Sequence, residues 1–270
     1  MRAGTLKLVG LAVVAAFAST VVGSQIPAGS YVYDFNGLTS GGNLNGQDNW
    51  SGGGTILKTK TSPDGGNQHP GDGLCVTMYG GTSAVDSYRT NDANWSFDLS
   101  GQSQFALGMS MTTDYGVSGY YGYGFTGVKN TLTGRMLKFG IQVQPWFYAV
   151  ELYDAQGTKH TGGQPRPTAI NQKWYFKLEV DTTANGGEGS GSVYTWRPGT
   201  HTEWQAVSNL QDINLKLSTA SADILNANQL MTGIKTRLVA TDDIWITPEP
   251  AAMSLLAIGG VGVLLKRRRR

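Results

Sequence analysis

Glu179 and Asp181 stand two residues apart, the closest this sequence comes to a paired-carboxylate site. Retaining glycoside hydrolysis needs two carboxyls about 5–5.5 Å apart, one as nucleophile and one as acid. Alternate residues of a strand share a face, so this pair meets the first requirement. A solvated strand edge beside a hairpin accounts for the same two residues without catalysis, and that reading is favoured. The three histidines, His69, His160 and His201, lie far apart in loop-like contexts. The sequence holds no HExxH, no His/Cys cluster and no GxSxG, which leaves zinc and serine-hydrolase chemistry without support. "GYYGYGFTG" has the glycines of a phosphate loop, but no Lys-Ser/Thr follows and no strand-loop-helix frame surrounds it. It reads as an aromatic strand.

Rings are the other group with a chemical use. Trp50, Tyr120, Tyr121, Tyr123, Trp146, Trp196 and Trp204 are more than one core face holds. Exposed rings stack on sugar faces through the amphipathic contact that enriches them at interfaces. Alternation puts Tyr121 and Tyr123 on one face and Tyr120 on the other. Tyr121, Tyr123 and Trp146 are therefore the candidate ligand-binding residues, against the ordinary fate of aromatics, which is burial. Binding by stacking alone predicts little sensitivity to salt.

Strands must position all of these groups. "FALGMSMT" places Phe105, Leu107, Met109 and Met111 on one face. "WYFKLEVD" turns Trp174, Phe176, Leu178 and Val180 inward and Tyr175, Lys177, Glu179 and Asp181 outward. "LKFGIQV" repeats the pattern with Leu137, Phe139, Ile141 and Val143. Such period-two alternation predicts strands with one buried face. Further strands are expected at "YVYDF", "TILKTK", "LCVTMY", "NWSFDL", "YYGYGF", "YAVELYD", "SVYTW", "INLKL" and "DIWIT", separated by Gly, Asn, Asp and Pro clusters. One helical turn is expected in "SADILNANQLM". With no βαβ alternation and no 20–50-residue repeat, the fold class is all-β, an antiparallel sandwich in one domain.

"NQKWYFKLEVDTTANGGEGSGSVYTW" is a tryptophan-led strand, a glycine-rich hairpin and a returning strand. It resembles the central hairpin of concanavalin A-like (laminin-G-type) jelly rolls. "YDFNGLTSGGNLNGQDNW" and "LVATDDIWIT" are similar to the first and last strands of exported sandwiches of that kind. The resemblance implies that first and last strands are neighbours, bringing Asp34 near Asp242 and Asp243. Calcium takes hard oxygen ligands, so a structural Ca2+ held there is one reading, and turn-capping or solvation the other. No other cofactor is expected. Strict alternation sends Asp242 and Asp243 to opposite faces, so at most one of them joins Asp34. The resemblance also covers glycosidases and polysaccharide lyases, which makes a polysaccharide-active enzyme the alternative to a non-catalytic role. Laminarinase-type enzymes carry two glutamates flanking an aspartate on one strand; here the second glutamate is missing.

Composition bounds the remainder. Glycine contributes 38 of 270 residues, charged residues 15% and hydrophobic residues 40%, a globular, turn-rich chain. The formal net charge of +2 is set by the ends, because Arg2, Lys7 and Lys266 to Arg270 supply seven of the 21 basic residues. Without those seven and Glu249, 14 basic residues face 18 acidic ones, a net of −4. A mildly acidic body gives nucleic acid no phosphate-binding surface. Cys75, the single cysteine, has no intramolecular disulfide partner and sits in the apolar "GLCVTMY", the setting of a buried structural thiol.

Arg2 and Lys7 precede an apolar run from Leu8 to about Ala18 with small residues after it, the layout of a secretory signal. Cleavage after Ala18 and after Ser24 both fit, and the second is favoured. At the other end, Ala251 to Leu265 carries no charge. As a helix it reaches about 22 Å of a roughly 30 Å hydrocarbon core, and basic residues beyond it stay cytoplasmic. The order Pro248-Glu249-Pro250, short apolar segment, arginine cluster resembles the PEP-CTERM sorting signal of Gram-negative bacteria, with Thr247 where Val is usual. The resemblance implies recognition and removal of the tail by an exosortase after export by the secretion machinery. It further implies a place at the surface or in the matrix of an exopolysaccharide-producing cell; a plain tail anchor is the alternative. The expected organisation is a signal helix at 1–24, a β-sandwich at 25–247 and a sorting tail with a hydrophobic helix at 248–270. The function expected of it is a structural or carbohydrate-associated protein of the extracellular polysaccharide layer.

Overall fold

The structure, a computed structural model, describes residues 26–39, 41–52, 56–59, 74–77, 85–113, 122–143, 148–164, 173–217, 224–235 and 239–248. The signal segment, Glu249 and all that follows it, including both expected flanking helices, lie outside the described residues. Among those residues no helix is long and apolar enough to cross a membrane.

Two antiparallel sheets stack as a sandwich. In chain order the strands are β1 (Tyr31–Tyr33), β2 (Trp50–Gly52), β3 (Ile56–Thr59), β4 (Leu74–Thr77), β5 (Val85–Thr90), β6 (Gln104–Thr113), β7 (Gly122–Lys129) and β8 (Met136–Val143). They continue as β9 (Tyr148–Tyr153), β10 (Lys159–Gln164), β11 (Lys173–Asp181), β12 (Ser190–Trp196), β13 (Gln205–Ala206), β14 (Ile213–Asn214), β15 (Gln229–Lys235) and β16 (Val239–Pro248). Sheet A runs β13-β12-β11-β6-β16-β4-β3, with β1 added to β16 and β14 to β12. Sheet B runs β10-β9-β8-β7-β15-β5-β2.

Alternation predicts the facing surfaces. Phe105, Leu107, Met109 and Met111 of β6 and Trp174, Phe176, Leu178 and Val180 of β11 are buried against Leu137, Phe139, Ile141 and Val143 of β8. Tyr148 of sheet B meets Trp174 of sheet A edge to face, with ring centroids 5.6 Å apart. Cys75 is buried in β4, as expected.

The outward face of sheet A departs from expectation. Tyr175, expected outward in water, is buried, as are Ser110 and Thr112. The Trp245 indole lies flat over Gly108, its cross-strand partner, where an added Cβ would fall 1.9 Å from Trp245 Cε2. Tyr175 then packs against both Trp245 and Trp196. Both faces of this sheet are therefore packed at its centre.

Three local expectations are corrected. "NWSFDL" is not a strand: Asp92 Oδ1 accepts from the backbone N–H of Asn94 and Trp95, which turns the chain. Phe97 and Leu99 still point into the core. In "INLKL" only Ile213–Asn214 pairs, because Asp212 (φ 54°) and Lys216 (φ 56°) adopt left-handed backbone that ends an extended run. "SADILNANQLM" divides into a turn at Ile224–Asn226 and the start of β15, its residues 221–223 lying outside the description. Pro248 belongs to the last strand, opposite Phe105, at a strand end where a missing N–H costs no ladder bond.

Candidate functional site

On the outer face of sheet B, strand register assembles a row the sequence does not display. Glu151 of β9, Gly140 of β8, Phe125 of β7, Gly233 of β15 and Asp86 of β5 are successive cross-strand partners. The two glycines make room for their neighbours. A Cβ at Gly140 would fall 2.7 Å from Phe125 Cδ1, and one at Gly233 would fall 2.5 Å from Asp86 Oδ1. Tyr153, Lys138, Gly127, Met231 and Tyr88 form the adjacent row.

Three rings run diagonally across these rows. Tyr123 stacks on Phe125 at 6.0 Å, and Phe125 meets Tyr153 edge-on at 5.8 Å. Phe125 is buried beneath, while Tyr123 and Tyr153 are half-buried. Polar groups frame the rings. Gln142 Nε2 donates to Tyr123 Oη at 2.9 Å. Glu151, 2% exposed at its side chain, accepts from Tyr153 Oη at 2.9 Å and from Lys159 Nζ at 3.2 Å. Burial, then the bond to Glu151, pushes the Tyr153 hydroxyl well above its ordinary pKa, so it stays a donor. Lys138 Nζ stands 4.9 Å from the Tyr153 ring centre, 5.5 Å from that of Phe125 and 3.5 Å from Asp86 Oδ2. The face thus combines flat rings with fixed polar groups. Glu151 and Asp86 stand on β9 and β5, four strands apart in the sheet, and Glu151 is bound by Tyr153 and Lys159.

The Glu179–Asp181 pair lines a cleft of about 390 Å³ on sheet A, with Asp212, Tyr194 and Ser192. Asp181 caps the β11–β12 hairpin: its Oδ1 accepts from Thr183 Oγ1 at 2.7 Å and from the Thr183 and Ala184 N–H groups. Those bonds hold its carboxyl below the usual range, the wrong direction for a general acid. Glu179 is tied to Lys177 Nζ at 2.6 Å.

The three aspartates read as calcium ligands do not converge. Asp34 is exposed and accepts from the N–H and Nδ2 of Asn36. Asp242 and Asp243 do not take opposite faces: a β-bulge between Thr241 and Ile244 inserts a residue opposite Ser110 and turns both carboxylates to one side. Lys173 Nζ binds them both, at 2.9 Å from Asp242 Oδ2 and 3.2 Å from Asp243 Oδ2. Burial pulls the Lys173 ammonium down, but the two carboxylates outweigh it and hold its pKa above the ordinary value. Burial and the neighbouring Asp242 push the Asp243 carboxyl up. Among the described residues no three His, Cys, Asp or Glu side chains gather as metal ligands.

Of the candidate rings, Tyr123 lies on the sheet B face; Tyr121 and Trp146, like Tyr120 and His69, fall outside the described residues. Trp50 is in the core, stacked on Phe35, and Trp196 packs against Tyr175. Sequence reading missed Arg89 altogether. Its side chain is wholly buried on the inward side of β5 and makes a fork to Asp48, both bonds 3.1 Å. It also donates to the carbonyls of Thr90 and Trp95 and lies over the Tyr33 and Trp95 rings. With its donors used this way, Arg89 ties the β1–β2 segment to β5.

No family model matches the chain, and no curated protein matches its sequence. Among solved structures, the T. cruzi calreticulin globular domain aligns over 88% of this chain and 95% of its own, at 12% identity and a TM-score of 0.47. Lectin I-B4 from Griffonia simplicifolia, in its metal-free form, aligns over 80% and 98%, at 9% identity and 0.42. An engineered GH43 glycoside hydrolase aligns over 80% of this chain and 42% of its own, at 10% and 0.43. These values assign neither a family nor a ligand.

Proposed function

We propose that this chain is an exported, non-catalytic protein that associates with extracellular polysaccharide through the outer face of sheet B. The observation that carries the reading is the Tyr123–Phe125–Tyr153 belt, framed by Gln142, Lys138, Glu151 and Asp86. Flat rings take the apolar face of a sugar, while the Gln142 amide, the Lys138 ammonium and the Asp86 carboxylate take its hydroxyls, and buried Glu151 fixes Tyr153. Sugars are built with both kinds of surface.

The termini supply the address. Arg2 and Lys7 ahead of an apolar run support export, and Pro248-Glu249-Pro250 with the apolar and arginine-rich tail supports exosortase sorting to the surface of a Gram-negative cell. The concanavalin A-like resemblance belongs to the same reading.

Affinity electrophoresis through gels containing the producing cell's own polysaccharide tests the binding. The wild type should be retarded. Tyr123→Ala should bind about two- to tenfold more weakly, the worth of one ring contact, with a melting temperature lowered by no more than about 5 °C. A wild type that migrates freely in every polysaccharide gel, or a variant retarded equally, would overturn the assignment; released oligosaccharide would make the protein an enzyme. Intact-mass measurement of protein recovered from the native cell tests the address. The mass should lack both the signal and Lys266 to Arg270, and a mass retaining those five residues would leave a plain anchor.

A further inference from the structure

The belt of rings ends at a cleft of about 600 Å³ beside the β7–β8 turn, at the end of β9. Arg135, Lys138 and Tyr153 line it, together with Thr133, Met136 and Gln156. Two of its wall residues are cations and none is a carboxylate, on a body whose acidic residues outnumber its basic ones. Among the described residues, two acids close to it are turned to internal donors. Glu151 is held by Tyr153 and Lys159, and Asp154, almost fully buried, accepts from the N–H groups of Gln156 and Thr158 and faces His160. Asp86, 3.5 Å from Lys138, is not part of the wall.

From this arrangement we infer that the cleft is a subsite for an anionic sugar unit, a pyranose carrying a carboxylate or a sulfate. The inference rests on the polysaccharide reading above and names the class of polysaccharide. Lys138 is 18% exposed at its side chain, and a partly desolvated ammonium attracts an anion more strongly than one in open water. Its position over the Tyr153 and Phe125 rings leaves it little freedom to lose on binding. Arg135 adds a planar fork suited to carboxylate or sulfate. The Tyr153 ring, fixed through its hydroxyl by Glu151, offers the flat wall for the sugar's apolar face. The anionic group would be met by Lys138 and Arg135 while the ring stacks on Tyr153 as part of the same belt. The salt insensitivity of stacking alone does not extend to this subsite.

Matched polymers decide it, with the full chain immobilised and binding measured at several salt concentrations. Polygalacturonate is compared with its fully methyl-esterified form, and dextran sulfate with dextran, so each pair differs only in charge. The charged member of at least one pair should bind about tenfold or more tightly, the worth of one charge-assisted hydrogen bond. That preference should fade between about 0.05 M and about 0.5 M salt. Which pair shows it tells a carboxylate ligand from a sulfate ligand. Arg135→Gln with Lys138→Gln should erase the preference for the charged member while the folded variant still binds the native polysaccharide, and Lys138→Arg should keep it. Equal binding of charged and neutral members, or a preference that survives the double substitution, would overturn the anionic subsite and leave the polysaccharide reading intact. Failure to bind any polymer, native polysaccharide included, would overturn both.

Discussion

Replacing Lys173 with Met tests the account of the bulge on β16. The ammonium is 14% exposed and bridges Asp242, 1% exposed, and Asp243, 17% exposed. Met fills much of the same volume, so the change removes the charge and keeps the packing. Two adjacent carboxylates then remain on one side of a strand without the cation that joined them. Breaking a buried pair from one side costs about 3–5 kcal/mol. For a domain of this size that lowers the melting temperature by about 10 °C, at roughly 2–4 °C per kcal/mol. The loss should depend on pH, with a definite sign. Asp243 already has a raised pKa in the folded protein, and removing Lys173 raises it further. A carboxyl whose folded pKa lies above its unfolded one binds protons more tightly when folded, so stability falls as pH rises through that window. The variant's deficit should be full near pH 7.5 and smaller in acid, where the raised carboxyl takes up a proton. In the wild type the raised Lys173 has the same sign at the alkaline end: its stabilisation is complete below its ordinary value of 10.5 and is lost as pH climbs above that value. Urea unfolding at neutral and at acid pH, following tryptophan fluorescence, reads the cost and its pH dependence. Changing Asp242 and Asp243 to Asn as well should restore most of the loss. A cost under about 1 kcal/mol near neutrality, the value of a solvent-exposed pair, or a deficit no smaller in acid, would refute the burial argument.

Two further substitutions probe the packing. Gly108→Ala drives a methyl to within 1.9 Å of the Trp245 indole and should cost about 3 kcal/mol, the upper end for overpacking. Gly163→Ala, with nothing within 4 Å of its added Cβ, should change the urea midpoint by less than about 0.5 kcal/mol equivalent, and equal effects at the two sites would sink the explanation. Trp174→Ala removes a buried ring that stacks on Phe176 and meets Tyr148 across the sandwich. It should cost about 3–5 kcal/mol, and a melting curve matching wild type would show that the two sheets do not depend on that contact.

Residues of β6, β8 and β11 declare their faces in sequence because side-chain direction along a strand is local. Successive Cβ atoms point oppositely whatever the partner strand is, and Phe105 to Met111, Leu137 to Val143 and Trp174 to Val180 follow that rule into the core. The same rule misled at "NWSFDL", where Phe97 and Leu99 keep the alternation without any ladder, and the Asp92 turn decides the backbone instead. It misled again at Asp242-Asp243, since one inserted residue in a bulge puts neighbours on one side.

The candidate site was legible only at Tyr123. Phe125, Lys138, Glu151 and Asp86 come from four strands, and nothing within any one strand marks them as members of one face. Arg89 likewise sits in "VDSYRT", where its burial follows from Asp48, distant in sequence, reaching its guanidinium. Alternation and turn residues are short-range quantities, so the sequence alone determines an all-β body with a set of inward faces. Which strands become neighbours, and in what register, depends on closing loops of very different lengths around a shared core. Tertiary structure therefore decided that three rings, an ammonium and two carboxylates share one face of sheet B, and that Lys173 holds both aspartates of the last strand.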